Sequence, residues 1–209
     1  MDEIFYENFK WDPQDNERYR NLKPSIPIKP SFKKITFEPP KESRIIYTDG
    51  GSRILNLKDG NKFYLGAWAF YDTVSNELIS KAEEKATNNQ MELLACIRAL
   101  EHLDKLGYPN ENWVTIKLDS DYVRLGIVFW VKKWISQNWM RVDKTGNPST
   151  IKNVDLWKRL HELTQNRKIY WEHVDGHSGE EGNEKVDIIC GSKMDDYMKK
   201  HDLYSKIKK

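Results

Sequence analysis

Cysteine is nearly absent from this chain: Cys96 and Cys190 are the two thiols in 209 residues. Two cannot make a disulfide framework, and neither lies in a Cys-x-x-Cys pair. The expectation is an intracellular protein of a reducing compartment, cytoplasm or nucleus. Long apolar runs are missing too. None approaches the roughly 18 residues that span a bilayer, so no membrane partner is expected. The first residues, Met1-Asp2-Glu3-Ile4, lack the basic start and apolar core of a secretory signal. Glycine does not occur before Gly50. Net charge is only +2, which by itself implies no partner.

The distribution of charge says more. Residues 124–152 hold six Lys/Arg against one acid, while the chain outside residues 1–44, 124–152 and 193–209 sums to about −7. A basic segment beside an acidic body suits a polyanion-binding surface next to a carboxylate-rich pocket. Residues 1–43 hold six of the eight prolines, and Pro24, Pro27 and Pro30 recur at polyproline spacing. With Ile4, Phe5, Phe9 and Trp11 clustered at its start, this stretch reads as a Pro-rich N-terminal extension of unknown role. A folded domain is expected over 44–200, followed by a basic tail over 201–209. Nothing in the sequence calls for an oligomer, so a monomer is expected.

From Arg44 the punctuation is regular. Residues 45–48 form a short apolar strand running into Asp49-Gly50-Gly51-Ser52. Residues 63–71 and 77–85 read as two more strands, with a turn at 72–76. Leu93, Cys96, Ile97, Leu100 and Leu103 then repeat at helical spacing, predicting a helix over 88–106. Thr87 and Gln90 fit a capping box at its start. Residues 113–118 alternate as a strand ending at Asp119. A helix over 121–136, another over 153–165, a strand over 169–174 and a final helix from Asn183 or Glu184 complete the order. The fold class is α/β: a mixed sheet made of a three-strand meander and parallel strands joined by helical crossovers.

Asp49 and Asp119 each follow an apolar strand, and in open α/β sheets the site lies beyond the carboxyl ends of the strands. Glu92 sits in the first turn of the crossover helix, at the margin of its apolar face. Each acid alone has an ordinary explanation as turn residue, dipole partner or cap. Together, carboxylates brought to one point raise each other's pKa, and a divalent cation removes that cost. Oxygen ligands without a His/Cys cluster favour Mg²⁺ or Mn²⁺ over zinc, and paired ions of this kind serve in-line phosphoryl transfer.

Five strings occur in order: Tyr47-Thr48-Asp49-Gly50-Gly51-Ser52, Thr87-Asn88-Asn89-Gln90-Met91-Glu92, Leu118-Asp119-Ser120-Asp121-Tyr122-Val123, Gly176-His177-Ser178-Gly179 and Gly182-Asn183-Glu184-Lys185-Val186-Asp187. Over about residues 44–195 they resemble the successive motifs of type 1 ribonuclease H, and residues 152–157 match a further family segment. The resemblance implies the ribonuclease H-like fold, a five-stranded mixed sheet flanked by helices. It implies cleavage of the RNA strand of an RNA–DNA hybrid with two Mg²⁺ ions, Mn²⁺ substituting, leaving 5′-phosphate and 3′-hydroxyl ends. It implies metal ligation by Asp49, Glu92, Asp119 and Asp187. Asp187 rests on the resemblance alone. His177 takes the place of a family histidine that aids proton transfer or product release.

The 2′-hydroxyl separates RNA from DNA at such a site. By resemblance it is read by Asn88, Asn89 and Gln90, with backbone groups near Gly51 and Ser52. Asn56 stands for a first-loop asparagine, although residues 53–60 lack the glycine richness usual there. The DNA strand is expected on the basic protrusion, about 124–152, where Trp130, Lys132, Lys133 and Trp134 interleave flat rings with cations. Trp130 and Trp134, four apart on a helix, suit core packing equally well. By the same resemblance, Thr87 would hold a DNA phosphate, with Asn153 and Lys85 assisting. Two other readings stay open: a hybrid-binding module without chemistry, and a DNA-acting nuclease of the same fold. The four acids count against the first. Gly50-Gly51 after Asp49, in place of an Asp-x-Glu, counts against an exonuclease.

Overall fold

The computed structural model describes residues 40–142 and 146–208; the expectations placed on residues 1–39, and on Lys144 within the basic segment, lie outside them. A five-stranded sheet carries the domain. Its strands are β1 (Ser43–Asn56), β2 (Lys62–Asp72), β3 (Glu77–Glu84), β4 (Trp113–Leu118) and a fifth strand, Ile169–His173. Their order is β3-β2-β1-β4 and then Ile169–His173 at the far edge. The first three pair antiparallel as a meander, and β1, β4 and the edge strand run parallel. The expected mixed sheet is the one observed.

One face is covered by α1 (Asn88–Lys105), which buries Met91, Leu93, Cys96, Ile97, Leu100 and Leu103 against the sheet. The capping box is present: Gln90 Oε1 accepts from Thr87 N at 2.9 Å. The stretch expected as a single helix over 121–136 is three pieces: α2 (Asp121–Leu125), a π-helical turn (Gly126–Trp130) and α3 (Val131–Ser136). The interruption has a steric cause. Gly126 lies against Trp157, and a Cβ there would stand 2.0 Å from the indole. The extra residue of a π turn lets the backbone ride over that fully buried ring. A small hairpin, β5 (Met140–Val142) with β6 (Pro148–Thr150), follows, with neither strand foreseen. Helix α4 (Val154–Thr164) carries Trp157, Leu160 and Leu163 into the same core. The edge strand is β7. Helix α5 (Glu181–Lys200) covers the other face, burying Val186, Cys190, Met194 and Met198 against Tyr47, Leu65, Ala67 and Ala69.

One expectation needs correction. Residues 53–60 are not a loop: β1 runs on through Asn56, because Leu55 and Phe63 both pack on the α5 side of the sheet. Only residues 57–61 turn, with Leu57 N donating to Asn61 O at 2.8 Å. The expected basic tail is structured over residues 201–208. A short helix, α6 (Leu203–Lys206), buries Leu203, and Ile207 forms a β-bridge with Leu57. No described helix is long and apolar enough to cross a membrane.

Candidate active site

The last parallel β1–β4 pair is Tyr47 with Lys117. Beyond it β4 stops at Asp119, whereas β1 continues, paired only with β2. Asp49 therefore lies inside a strand but level with the end of its parallel neighbour, and the two acids share one rim of the sheet. Gly50 sets the third. A Cβ at Gly50 would lie 2.2 Å from the Glu92 backbone nitrogen, so only glycine admits the start of α1 this close to β1. Glu92 is thereby brought beside Asp49. Gly176 does the same for the loop between β7 and α5: a Cβ there would stand 3.2 Å from Asp119 Oδ2. Helix α5 supplies Asp187, and His177 Nδ1 lies 3.7 Å from its Oδ2.

Electrostatics records the convergence. Burial, then the neighbouring Asp119 and Asp187, pushes Asp49 up to about 6. Glu92 is pushed up to about 7, by burial first and by Asp119 and Asp49 further, against the hydrogen bonds from Ser120 and Asn88. Asp119 is also raised, chiefly by burial. Buried acids that disfavour each other's charge suit a hard divalent cation. Among the described residues, no three His, Cys, Asp or Glu side chains already stand as a metal cage. Glu92 is one reason: its two oxygens accept from Asn88 Nδ2, at 2.6 Å, and from the Ser120 hydroxyl. The carboxylate-only donor set at this rim is compatible with magnesium or manganese.

Ser120 escaped the sequence reading, although Asp-Ser-Asp after a strand is an N-cap pattern. It caps α2 by accepting from Val123 N and links the Asp119 turn to Glu92. Cys190 was passed over as well; its thiol donates to the Asp49 carbonyl at 3.5 Å. Both thiols are buried, and burial pushes Cys96 up to about 12 and Cys190 higher still.

The remaining candidates divide. Asn88, Asn89 and Gln90 begin α1 beside Glu92, with Asn88 and Asn89 exposed. Gly51 and Ser52 follow Asp49 on β1. Asn56 does not join them: seven residues further along an extended strand, it stands about 23 Å from Asp49. Lys85, Gln90 and Asn153 line one open cleft of about 570 Å³ between the end of β3 and the start of α4. Thr87 lies next to that cleft, with its hydroxyl 3.1 Å from Gln90 Oε1. Asn153 donates to the Tyr122 hydroxyl at 3.3 Å and holds left-handed backbone, φ 58°. In the protrusion, Trp134 is half-buried against Trp157, Trp139 and Trp130, which settles its packing role. Trp130 and Phe129 remain partly exposed, at 38% and 37%, and Lys133 is exposed. Lys132 is exposed on the same helix.

Fold and rim together define a carboxylate-centred domain of the ribonuclease H-like class. The RNase H family model matches residues 41–194, so the chain belongs to the ribonuclease H family. A Ribonuclease H from Ruthia magnifica subsp. Calyptogena magnifica is 39% identical over 153 residues, covering 72% of this chain and 94% of that protein. One from Alcanivorax borkumensis is 40% identical over 152 residues, covering 73% and 91%. Among solved structures, the foamy viral protease-reverse transcriptase in complex with dsDNA shares the fold. It aligns with TM-score 0.57 at 18% identity, over 74% of this chain and 95% of that one.

Proposed function

We propose that this chain is an endoribonuclease that hydrolyses the RNA strand of RNA–DNA hybrids, with 5′-phosphate and 3′-hydroxyl ends. The observation that carries the reading is the meeting of Asp49, Glu92 and Asp119 at one rim, with Asp187 opposite, inside a family of that activity. Asp49, Glu92, Asp119 and Asp187 would hold two divalent cations, Mg²⁺ or Mn²⁺. Such ions supply an activated water and charge stabilisation at the departing oxygen. The chain's own residues do the rest. Asn88 and the Ser120 hydroxyl orient Glu92 from either side. His177, 86% exposed at φ 56° and with Nδ1 3.7 Å from Asp187 Oδ2, would take or deliver a proton at its imidazole. Asn88, Asn89, Gln90 and the Gly51–Ser52 backbone lie beside the acids, where a 2′-hydroxyl would be read. The cleft with Lys85, Thr87 and Asn153, and the protrusion with Trp130, Lys132 and Lys133, would carry the DNA strand. Trp134 supports that surface from beneath. Residues 44–200 form the catalytic domain in this reading.

The test uses a labelled RNA–DNA hybrid with Mg²⁺, beside duplex DNA, duplex RNA and single strands. Internal cuts confined to hybrid RNA are expected, abolished by EDTA and reduced at least a hundredfold by Asp119→Asn. Mg²⁺ should also raise the thermal midpoint of the native chain more than that of the variant, since a ligand held by the folded state stabilises it. Cuts in duplex DNA, or equal midpoint shifts, would refute the proposal.

A further inference from the structure

The hairpin tip that lies far from the acids still has an unusual build. Side chains on β1 alternate between faces. Gly50 faces the start of α1, so Ser52, Ile54 and Asn56 continue along that same face, past the end of the helix. Their direct partners across the pair are Gly66, Tyr64 and Lys62, and opposite residues share a face. The result is a strip, Ile54–Tyr64 and then Asn56–Lys62, that starts at the candidate active site and, among the described residues, has no helix over it. Ile54 is 57% and Tyr64 40% exposed. At its base Lys85 N donates to Tyr64 O at 2.7 Å, joining the strip to the cleft that holds Asn153 and Gln90.

A protruding two-stranded tip is ordinarily prone to fray. Here the chain's last described residues brace it. Lys208 N donates to Asn56 O and Lys58 N to Lys206 O, both at 2.8 Å, and Ile207 bridges Leu57. The brace also brings charge: Lys58, Lys62, Lys206 and Lys208 lie on the segments that meet at the tip, with Asp59 in its turn and Asp202 at the start of α6. Lys58 and Lys206 donate to the carbonyls of Ser205 and His201, bonds that leave their charges uncancelled. Asp59 is held low by hydrogen bonds from Asn61. A flat ring and an aliphatic group followed by Lys62 on the same face, on a stiffened strip continuous with the site, match a sugar–phosphate backbone.

We propose that this strip is a second nucleic-acid grip, in which Tyr64 and Ile54 pack on sugars and Lys62 meets a phosphate of the same bound hybrid. The inference rests on the hybrid-cleaving reading. At 3.4 Å per base pair, about 23 Å corresponds to about seven base pairs from the cut. The native chain should therefore gain affinity in a step when a hybrid is lengthened, on one side of the cut, from about four to about ten base pairs beyond it. Fluorescence anisotropy in EDTA measures the step, and KM for cleavage measures it independently. Tyr64→Ala with Lys62→Ala should shrink the step at least fivefold and lower the salt slope on the long hybrid by about one. Both residues are exposed, and an unchanged thermal midpoint confirms the fold. If the doubly substituted chain keeps the native step, or loses affinity equally for short and long hybrids, the grip is refuted. If the native chain cuts hybrids but shows no step, only the grip fails; if it neither binds nor cuts them, the underlying activity fails with it.

Discussion

Single atoms decide the site. Gly50 is where the sequence and the geometry differ most sharply, because Asp-Gly-Gly reads as turn chemistry and is instead a steric permit inside a strand. Gly50→Ala adds a Cβ that meets backbone of Met91 and Glu92, which cannot swing aside. Overpacking of this kind costs about 1–3 kcal/mol, and here it also moves Glu92 away from Asp49. Gly50→Ala is expected to lower the thermal midpoint and to abolish hybrid cleavage; a variant with native midpoint and native rate would refute the close-approach account. Asp119 and Glu92 were legible, since a strand end and a first helical turn are fixed by hydrophobic period; Asp49, read as a strand end, lies inside β1 and is level only with the end of β4. Asp187 was not, because nothing in a helix's own pattern says which of its exposed acids looks across a rim. Ser120 carried only a cap pattern, which was passed over; its second bond, to Glu92, needs two elements to be packed before it exists.

Among the elements, the longest periodic runs were read best. The strand Trp113–Leu118 matches its expected bounds, and α1 ends within a residue of expectation, because each has one uninterrupted apolar face. The stretch 121–136 failed as one helix for a tertiary reason: Trp157, thirty-one residues after Gly126, occupies the space a straight helix would need. Gly126→Ala should therefore destabilise the protein by about 2 kcal/mol or more, as seen in chemical unfolding, and disturb the protrusion carried on the π turn. Trp157→Phe in the same background is expected to recover part of the loss. No recovery would mean that the ring is not what forces the turn. The reach of β1 to Asn56 was likewise hidden, since β2 pairs with it to the tip but the bond that braces the Asn56 carbonyl comes from Lys208, at the far end of the chain.

For the molecule as a whole, one buried ion pair ties the start of β1 to the end of β2. Arg44 Nε lies 3.0 and 2.9 Å from the two oxygens of Asp72, which is fully buried and also receives Val74 N at 3.0 Å. Burial alone would raise Asp72, but these hydrogen bonds and the guanidinium charge hold it below the ordinary carboxylate range. In the unfolded chain it would titrate near the usual value of about 3.9. The pair therefore contributes fully above that pH, and its contribution is lost as pH falls through the lower folded value. Arg44→Met strands a buried charge, an expected loss of about 3–5 kcal/mol at pH 7. The gap between native and variant stability, measured by urea unfolding, should narrow below about pH 4; a gap independent of pH would contradict the assignment.

The concealed sulfurs carry a last consequence. Neither thiolate can form readily at neutral pH, so alkylating agents and mild oxidants meet almost no nucleophile while the fold holds. Scarcity of cysteine suggested a sheltered habitat, yet a protein that hides its only two from every reagent would be indifferent to the redox poise around it.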